Sequence, residues 1–247
     1  MAKILIIPDV HGRKFWHKAE EIINEVDKVV FLGDYLDPYK HEGITFEDAL
    51  EEFKQIINFK TKYSDKVVLL IGNHDLHYWP QYKSMWGCRR DDINFDVISY
   101  LFVNNINLFQ ISYKTDKYLF THAGVQQGWL DTINGKKKAR MTTAFKLDKE
   151  YSIDNLNDLL YDCHNALWTI SEERGGRDPY GSCIWADIYE HLSYFEPPIP
   201  NIYQVFGHTM IYPDIHKEYI DSNFAMLDSQ HCYLLDDGKF IKIEHDA

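Results

Sequence analysis

The 247-residue chain is short of three things, and each shortage removes a class of protein. It holds only four cysteines, Cys88, Cys163, Cys183 and Cys232, and no two form a C-x-x-C pair. Zinc ribbons and dithiol redox motifs are thereby excluded, and free thiols in a reducing compartment are expected. Long apolar runs are also missing. The N-terminal run, Ile4-Leu5-Ile6-Ile7, is too short for a signal-peptide core or a membrane span, so a cytoplasmic protein with no membrane partner is expected. Positive charge is scarce as well: 26 Lys and Arg against 38 Asp and Glu leave a formal net charge of −12. A nucleic-acid channel needs a basic stripe to neutralise phosphates, so nucleic acid is not an expected partner.

What is present can build a core. Hydrophobic residues make up 45% of the chain and aromatic residues 15%, and residues 1–247 are expected to form one domain. The first third reads β-α-β-α-β: strands at 3–7, 29–32 and 67–71, helices at 15–26 and 46–62, the second capped by Thr45 with Asp48 three residues on. That order implies parallel strands with right-handed crossovers. Residues 76–92 are aromatic and polar without a clear period. Beyond them the pattern predicts a helix at 95–103, a hairpin of strands at 106–113 and 117–121, and helices at 156–171 and 184–195. Runs at 223–235 and 239–243 close the chain as a hairpin around Asp236-Asp237-Gly238. Residues 131–200, mostly polar and partly helical, read as an insert or cap. Its basic cluster, Lys136, Lys137, Lys138 and Arg140, is expected to be a solvated loop.

Five strands end in the same chemistry. The runs deliver Asp9-Val10-His11-Gly12, Gly33-Asp34-Tyr35-Leu36-Asp37, Gly72-Asn73-His74-Asp75, His122-Ala123-Gly124 and Gly207-His208-Thr209. Each places oxygen or nitrogen donors beside a glycine at a strand's C-terminal edge, where α/β folds put their ligands. One such turn means little, because Gly-Asp after a strand is usually only a turn. Five of them make Asp9, His11, Asp34, Asn73, His122 and His208 candidates for a pair of divalent ions, with Asp34 as the shared ligand. Two ions bring four positive charges and Asp9 with Asp34 remove two; the excess favours an anionic phosphate and acidifies bound water.

In order and spacing these motifs resemble the calcineurin-like metallophosphoesterases from residue 4 to about 209, and Leu227-Asp228-Ser229 resembles the family's closing strand. The resemblance implies a four-layer α/β/β/α sandwich with mixed sheets and a dinuclear Mn, Fe or Zn centre. One ion would take Asp9, His11 and Asp34; the other would take Asp34, Asn73, His122 and His208. It implies that a metal-bridging hydroxide attacks phosphorus in line. His74, oriented by Asp37, would protonate the leaving oxygen. The expected substrate is phosphorylated, a phosphoprotein or a nucleotide, and Asn73 would contact it.

Two departures bear on substrate. Met210 stands where phosphodiesterase branches carry a second His, which leans toward the Ser/Thr protein-phosphatase and diadenosine tetraphosphatase branch. Pro38 stands where that branch carries an arginine, so the phosphate clamp must come from elsewhere: Arg174 or Arg177 first, with Arg13, Arg89 and Arg90 as rivals. Trp185 and Asp187 are candidates to wall the pocket. His41, His77, His216, His231 and His245 match no motif and read as surface or packing residues. The lead expectation is a phosphomonoesterase of the Ser/Thr phosphatase type. Its alternatives are dinucleoside polyphosphate hydrolysis in the same centre, a non-catalytic interaction module and, against the net charge, a nuclease.

Overall fold

The computed structural model describes residues 2–137, 149–193, 199–210 and 218–244, and in it every apolar run that precedes a motif is a strand. In chain order the first half holds β1 (Ile4–Ile7), α1 (Lys18–Ile22), β2 (Lys28–Phe31), α2 (Phe46–Lys62), β3 (Val67–Leu70), α3 (Asn73–Leu76), α4 (Phe95–Asn104), β4 (Phe109–Gln110), β5 (Ser112–Lys114) and β6 (Tyr118–Thr121). The second half holds α5 (Gln127–Ile133), α6 (Asn157–Tyr161), α7 (Ile188–His191), β7 (Tyr203–Phe206), β8 (Tyr219–Ile220), β9 (Phe224–Met226), β10 (Cys232–Asp236) and β11 (Lys239–Ile243). Two mixed sheets result, in the orders β11-β10-β1-β2-β3-β4 and β5-β6-β7-β9-β8. The pairs β1–β2, β2–β3, β3–β4, β6–β7 and β7–β9 are parallel.

Alternation along the strands sorts their side chains into layers. Ile4, Ile6, Val30, Leu32, Val68 and Leu70 of the first sheet meet Phe120, Val205, Ala225 and Leu227 of the second. The odd partners Leu5, Ile7, Val29, Phe31, Val67 and Leu69 face away, onto Ala19, Phe53, Ile56 and Phe102 of the helices. On the far side, Phe206, Phe224 and Met226 pack against Ile188 of α7. The layering is therefore α/β/β/α, the architecture the family resemblance implies. No helix among the described residues is long and apolar enough to cross a membrane.

Where the structure differs from the sequence pattern, tertiary contacts explain it. The helix expected at 15–26 keeps regular form only as α1, after a tight turn at Phe15–His17. The α2 bounds and the Thr45 cap are as expected, Asp48 N donating to Thr45 Oγ1 at 3.1 Å. Its buried stripe runs through Ala49, Phe53, Ile56 and Ile57, and Glu52 is buried with them because it accepts bonds from Trp16 Nε1 at 2.9 Å and His17 Nε2 at 2.8 Å. The 106–113 run is not one strand. Phe109–Gln110 pairs with β3 in the first sheet and Ser112–Lys114 with β6 in the second. At the crossing, Asn157 Oδ1 accepts from the backbone of Ile111 (2.8 Å) and Ser112 (2.9 Å), replacing the ladder bonds lost there. The 223–235 run is likewise shared between sheets as β9 and β10. The helix expected at 156–171 breaks at Cys163, which is left-handed (φ 49°), into α6 and the turn Asn165–Trp168. The helix expected at 184–195 shrinks to α7, capped by Asp187, with 194–198 outside the described residues. The closing hairpin forms as expected, with Asp237 (φ 47°) and Gly238 (φ 78°) both left-handed.

Candidate metal centre

All five motifs lie at the C-terminal ends of parallel strands, and cross-strand bonds stitch those ends together. Asp34 O accepts from His11 N at 2.7 Å, and His122 O from Gly207 N at 2.8 Å. Tight reversals aim the side chains inward: His11 (φ 46°), Asp34 (φ 53°), Asp37 (φ 60°) and His208 (φ 70°) are all left-handed, a region that Asp and His tolerate better than most residues. The two sheets are joined by His122, whose Nδ1 donates to Leu32 O at 2.8 Å.

These bonds decide what the rings offer. His122 Nδ1 is committed to a carbonyl, and burial holds its pKa down at about 3, so Nε2 carries a lone pair. That lone pair faces Asn73 Oδ1 at 3.0 Å, His208 Nδ1 at 3.0 Å and Asp34 Oδ2 at 3.5 Å. His11 repeats the arrangement. Its Nδ1 donates to Leu36 O at 2.8 Å, burial holds its pKa well below the usual histidine value, and its Nε2 lone pair faces Asp34 Oδ2 at 3.6 Å. Acceptors thus converge on acceptors. The donor atoms of Asp9, His11 and Asp34 lie within 4.8 Å of one another, and so do those of Asp34, His122 and His208, with Asp34 common to both groups. Oxygen and imidazole donors in this number fit two borderline divalent ions, and cations turn each repulsive contact into a bond. Sequence-predicted Asp9, His11, Asp34, Asn73, His122 and His208 are all brought to this point.

Burial raises the pKa of Asp9 and Asp34 well above the ordinary carboxylate value, and the neighbouring charges of Asp228 on Asp9 and of Asp9 on Asp34 add to it. Two glycines hold these carboxylates in place. A Cβ on Gly72 would lie 2.1 Å from Asp34 Oδ1, and one on Gly207 would lie 2.2 Å from Asp9 Oδ1. The space left lets Asp34 Oδ1 accept from His74 N at 3.0 Å, and lets both oxygens of Asp9 accept from His208 N at 3.1 Å.

His74 is the second residue of α3, beside the centre. Its Nδ1 donates to Asp37 Oδ2 at 3.0 Å, and Tyr78 OH donates to Asp37 Oδ1 at 2.6 Å. With Nδ1 engaged, Nε2 is the ring atom left for substrate. Over Asn73 and His74 opens a cavity of about 480 Å³ whose walls include Tyr39, Arg89, Arg174 and Trp185. Arg174 and Trp185 therefore join the site, and Asp187 ties down Arg174 at 3.3 Å. Arg177 is exposed and does not line this cavity. Two rivals are engaged by carboxylates: Arg13 grips both oxygens of Glu42 at 2.9 and 2.8 Å while donating to Asp9 O at 3.0 Å, and Arg90 grips Asp92. His77 is buried and its ring bonds Met85 O and Cys88 Sγ; His216 and His245 lie outside the described residues. So do Lys138 and Arg140 of the basic cluster.

The sequence pattern points to no role for Asp75, Tyr78 or Tyr39, and it names Arg89 only as a rival clamp. Fully buried Asp75 accepts from Gly72 N (2.9 Å), Asp34 N (2.7 Å) and Tyr35 N (2.9 Å), tying the β2 and β3 tips together; burial pushes its pKa up to about 6. An Asp three residues after a glycine at a helix start was the available signal. Tyr78 and Arg89 sit in the aperiodic 76–92 stretch, where no spacing points to them.

Residues 2–212 match the calcineurin-like phosphoesterase family. No curated protein matches the chain. Among solved structures, it resembles a cold-active protein-tyrosine phosphatase from a psychrophilic Shewanella species, with 16% identity, TM-score 0.58 and coverage of 98% of this chain and 77% of that one. It also resembles a protein serine/threonine phosphatase from Saccharomyces cerevisiae, with 14% identity, TM-score 0.51 and coverage of 99% and 81%.

Proposed function

The chain belongs to the calcineurin-like phosphoesterase family and is a metal-dependent hydrolase of phosphoesters; within that class, we propose that it is a phosphomonoesterase of the Ser/Thr protein-phosphatase type. The observation that carries the reading is the meeting of lone pairs at the strand tips. Neutral His11 and His122 direct their Nε2 lone pairs at Asp34 Oδ2, from 3.6 and 3.5 Å. In this reading Asp9, His11 and Asp34 hold one ion, and Asp34, Asn73, His122 and His208 the other, with Mn or Fe favoured by the mixed N and O donors. When bound, the two cations supply Lewis acidity toward a phosphoryl oxygen and toward water.

The chain's own residues do the rest. Asn73 Oδ1 points at the ligand cluster, which leaves its amide Nδ2 for a phosphoryl oxygen. Arg174 offers a guanidinium from the cavity wall, a shape suited to paired phosphate oxygens. His74 hands a proton from Nε2 to the departing oxygen, because an alkoxide leaves poorly without one. Asp37 fixes the His74 ring through Nδ1 and is itself fixed by Tyr78. Dinucleoside polyphosphate hydrolysis is the second reading, and the aromatic walls Tyr39 and Trp185 favour it as surfaces on which a base can stack.

Purified Mn-loaded protein assayed on p-nitrophenyl phosphate, phosphoserine and phosphothreonine peptides and diadenosine tetraphosphate separates the readings. The proposal expects turnover of the first three. Turnover of the dinucleotide alone would replace it with the second reading, and turnover of none would end both.

A further inference from the structure

We propose that Arg89 is the second guanidinium of the phosphate site, presented from the 76–92 segment to the place where Pro38 carries no charge. The inference rests on the phosphoesterase reading above. A phosphate monoester near neutral pH brings close to two negative charges and three terminal oxygens, more than one guanidinium can satisfy. The cavity over Asn73 and His74 is lined by two, Arg174 and Arg89. The other described arginines are spent on carboxylates or lie outside it: Arg13 on Glu42, Arg90 on Asp92, and Arg177 exposed beyond the walls. Arg89 differs from them. Among the described residues no carboxylate lies within ion-pair distance of it. Its Nη2 donates to the backbone carbonyl of Asp37, and its guanidinium carbon lies 5.1 Å from the centre of the Tyr39 ring.

Those two contacts hold the group without neutralising it. The carbonyl belongs to the residue directly before Pro38, so the guanidinium is pinned at the peptide that lacks its own cation. The Asp37 carboxylate does not draw Arg89 away, because its oxygens are taken by His74 and Tyr78. The ring of Tyr39 supports the planar face. The remaining N–H groups are left for the cavity, next to the ring that protonates the leaving oxygen. Arg89 and Arg174 then grip the phosphoryl group together.

Calorimetric binding of inorganic phosphate to the Mn-loaded protein tests this, with p-nitrophenyl phosphate kinetics alongside. Arg89→Ala is expected to weaken phosphate binding about ten- to a hundredfold, the range for bonds between charged groups, and to raise KM in step. Mn affinity and melting temperature should stay at wild-type values. Arg89→Lys should recover part of the loss, since it restores charge without the fork. Lys83→Ala removes one charge from the same segment, 3.8 Å from Asp96 and outside this cavity, and should leave phosphate binding as it was. Unchanged phosphate affinity in Arg89→Ala would overturn the inference while leaving the phosphoesterase reading intact. Joint loss of phosphate and Mn binding would overturn it too, by showing a structural role, and so would a wild type that binds no phosphate. If the wild type binds phosphate through Arg89 yet hydrolyses no phosphoester, the catalytic reading fails and this one stands.

Discussion

Replacing Gly207 by alanine tests the metal centre without touching a ligand. Its backbone is not left-handed, so alanine meets no conformational penalty of its own. The new Cβ would stand 2.2 Å from Asp9 Oδ1, whereas a carbon and an oxygen in contact need roughly 3.2–3.5 Å. The carboxylate must therefore retreat by about 1 Å. It then loses the two 3.1 Å approaches from His208 N and leaves its rotamer. A hydrogen bond to a charged acceptor is worth about 1.5–3 kcal/mol, and an off-rotamer side chain costs about 0.5–1.5 kcal/mol. Loss of such support around a metal ligand typically lowers affinity about 10–100-fold. Titration calorimetry with Mn, together with the Mn dependence of phosphatase rate, should show a drop of that size for the ion held by Asp9. Gly72→Ala, with its Cβ 2.1 Å from Asp34 Oδ1, should weaken both ions because Asp34 is shared. Gly135→Ala is the control: no atom lies within 4 Å of its Cβ, and its cost is only that of a left-handed alanine (φ 72°). Mn affinity within twofold of wild type in both Gly207→Ala and Gly72→Ala would refute the idea that glycine holds these carboxylates in place.

His74→Asn should slow hydrolysis of alkyl phosphates far more than of p-nitrophenyl phosphate, whose leaving group needs little protonation; equal losses in kcat on both would remove the acid role. Asp34→Asn should abolish turnover and bound metal together, read by metal analysis after dialysis and by a p-nitrophenyl phosphate assay. Stability should carry a signature of His191, whose pKa is pushed down to about 4 by burial under Phe206 and Phe224. The unfolded chain takes up that proton near pH 6.5 while the folded one does not. The contribution is therefore full above pH 6.5 and is lost as pH falls toward 4, on the order of 3 kcal/mol at most. Denaturant unfolding of wild type and His191→Phe at pH 7.5 and pH 4.5 should show the variant losing less stability on acidification; parallel losses would contradict the assignment.

The legible parts of this chain were those in which sequence neighbours act together. Each ligand sits within a few residues of its strand, so the strand's β-branched run and the following glycine announced it. The Thr45 cap and the turn at Asp237-Gly238 were readable for the same reason. What escaped depends on contacts between distant segments. Nothing around Asn157 says that its side chain replaces ladder bonds at Ile111 and Ser112, 46 and 45 residues away, and so splits one apolar run between two sheets. Nothing around Glu52 says that Trp16 and His17 will bury it on the packed face of α2. Arg89 ranks in the sequence only as a rival to Arg174 and Arg177, and its bond to the carbonyl of Asp37, 52 residues back, is what sets it apart.

The same distinction explains why the site is built at strand tips at all. Four of its residues are left-handed without being glycine, at a cost of about 1–2 kcal/mol each. Such strain persists only where surroundings over-determine it. Here they do: the backbone of Asp34 is held on one side by His11 N and on the other by the Asp75 carboxylate, and His208 N is held by Asp9. The bonds that offset the strain are the ones that crowd Asp9, Asp34 and Asp75 into a dry centre, where burial raises the pKa of all three. Crowding acids to relieve backbone strain only moves the cost from torsion to charge, and the donor atoms gathered around Asp34 are those through which two cations can settle it. Metal binding is thereby coupled to folding, and a methyl group at Gly207, which displaces Asp9, is expected to weaken the ion that offsets the crowding.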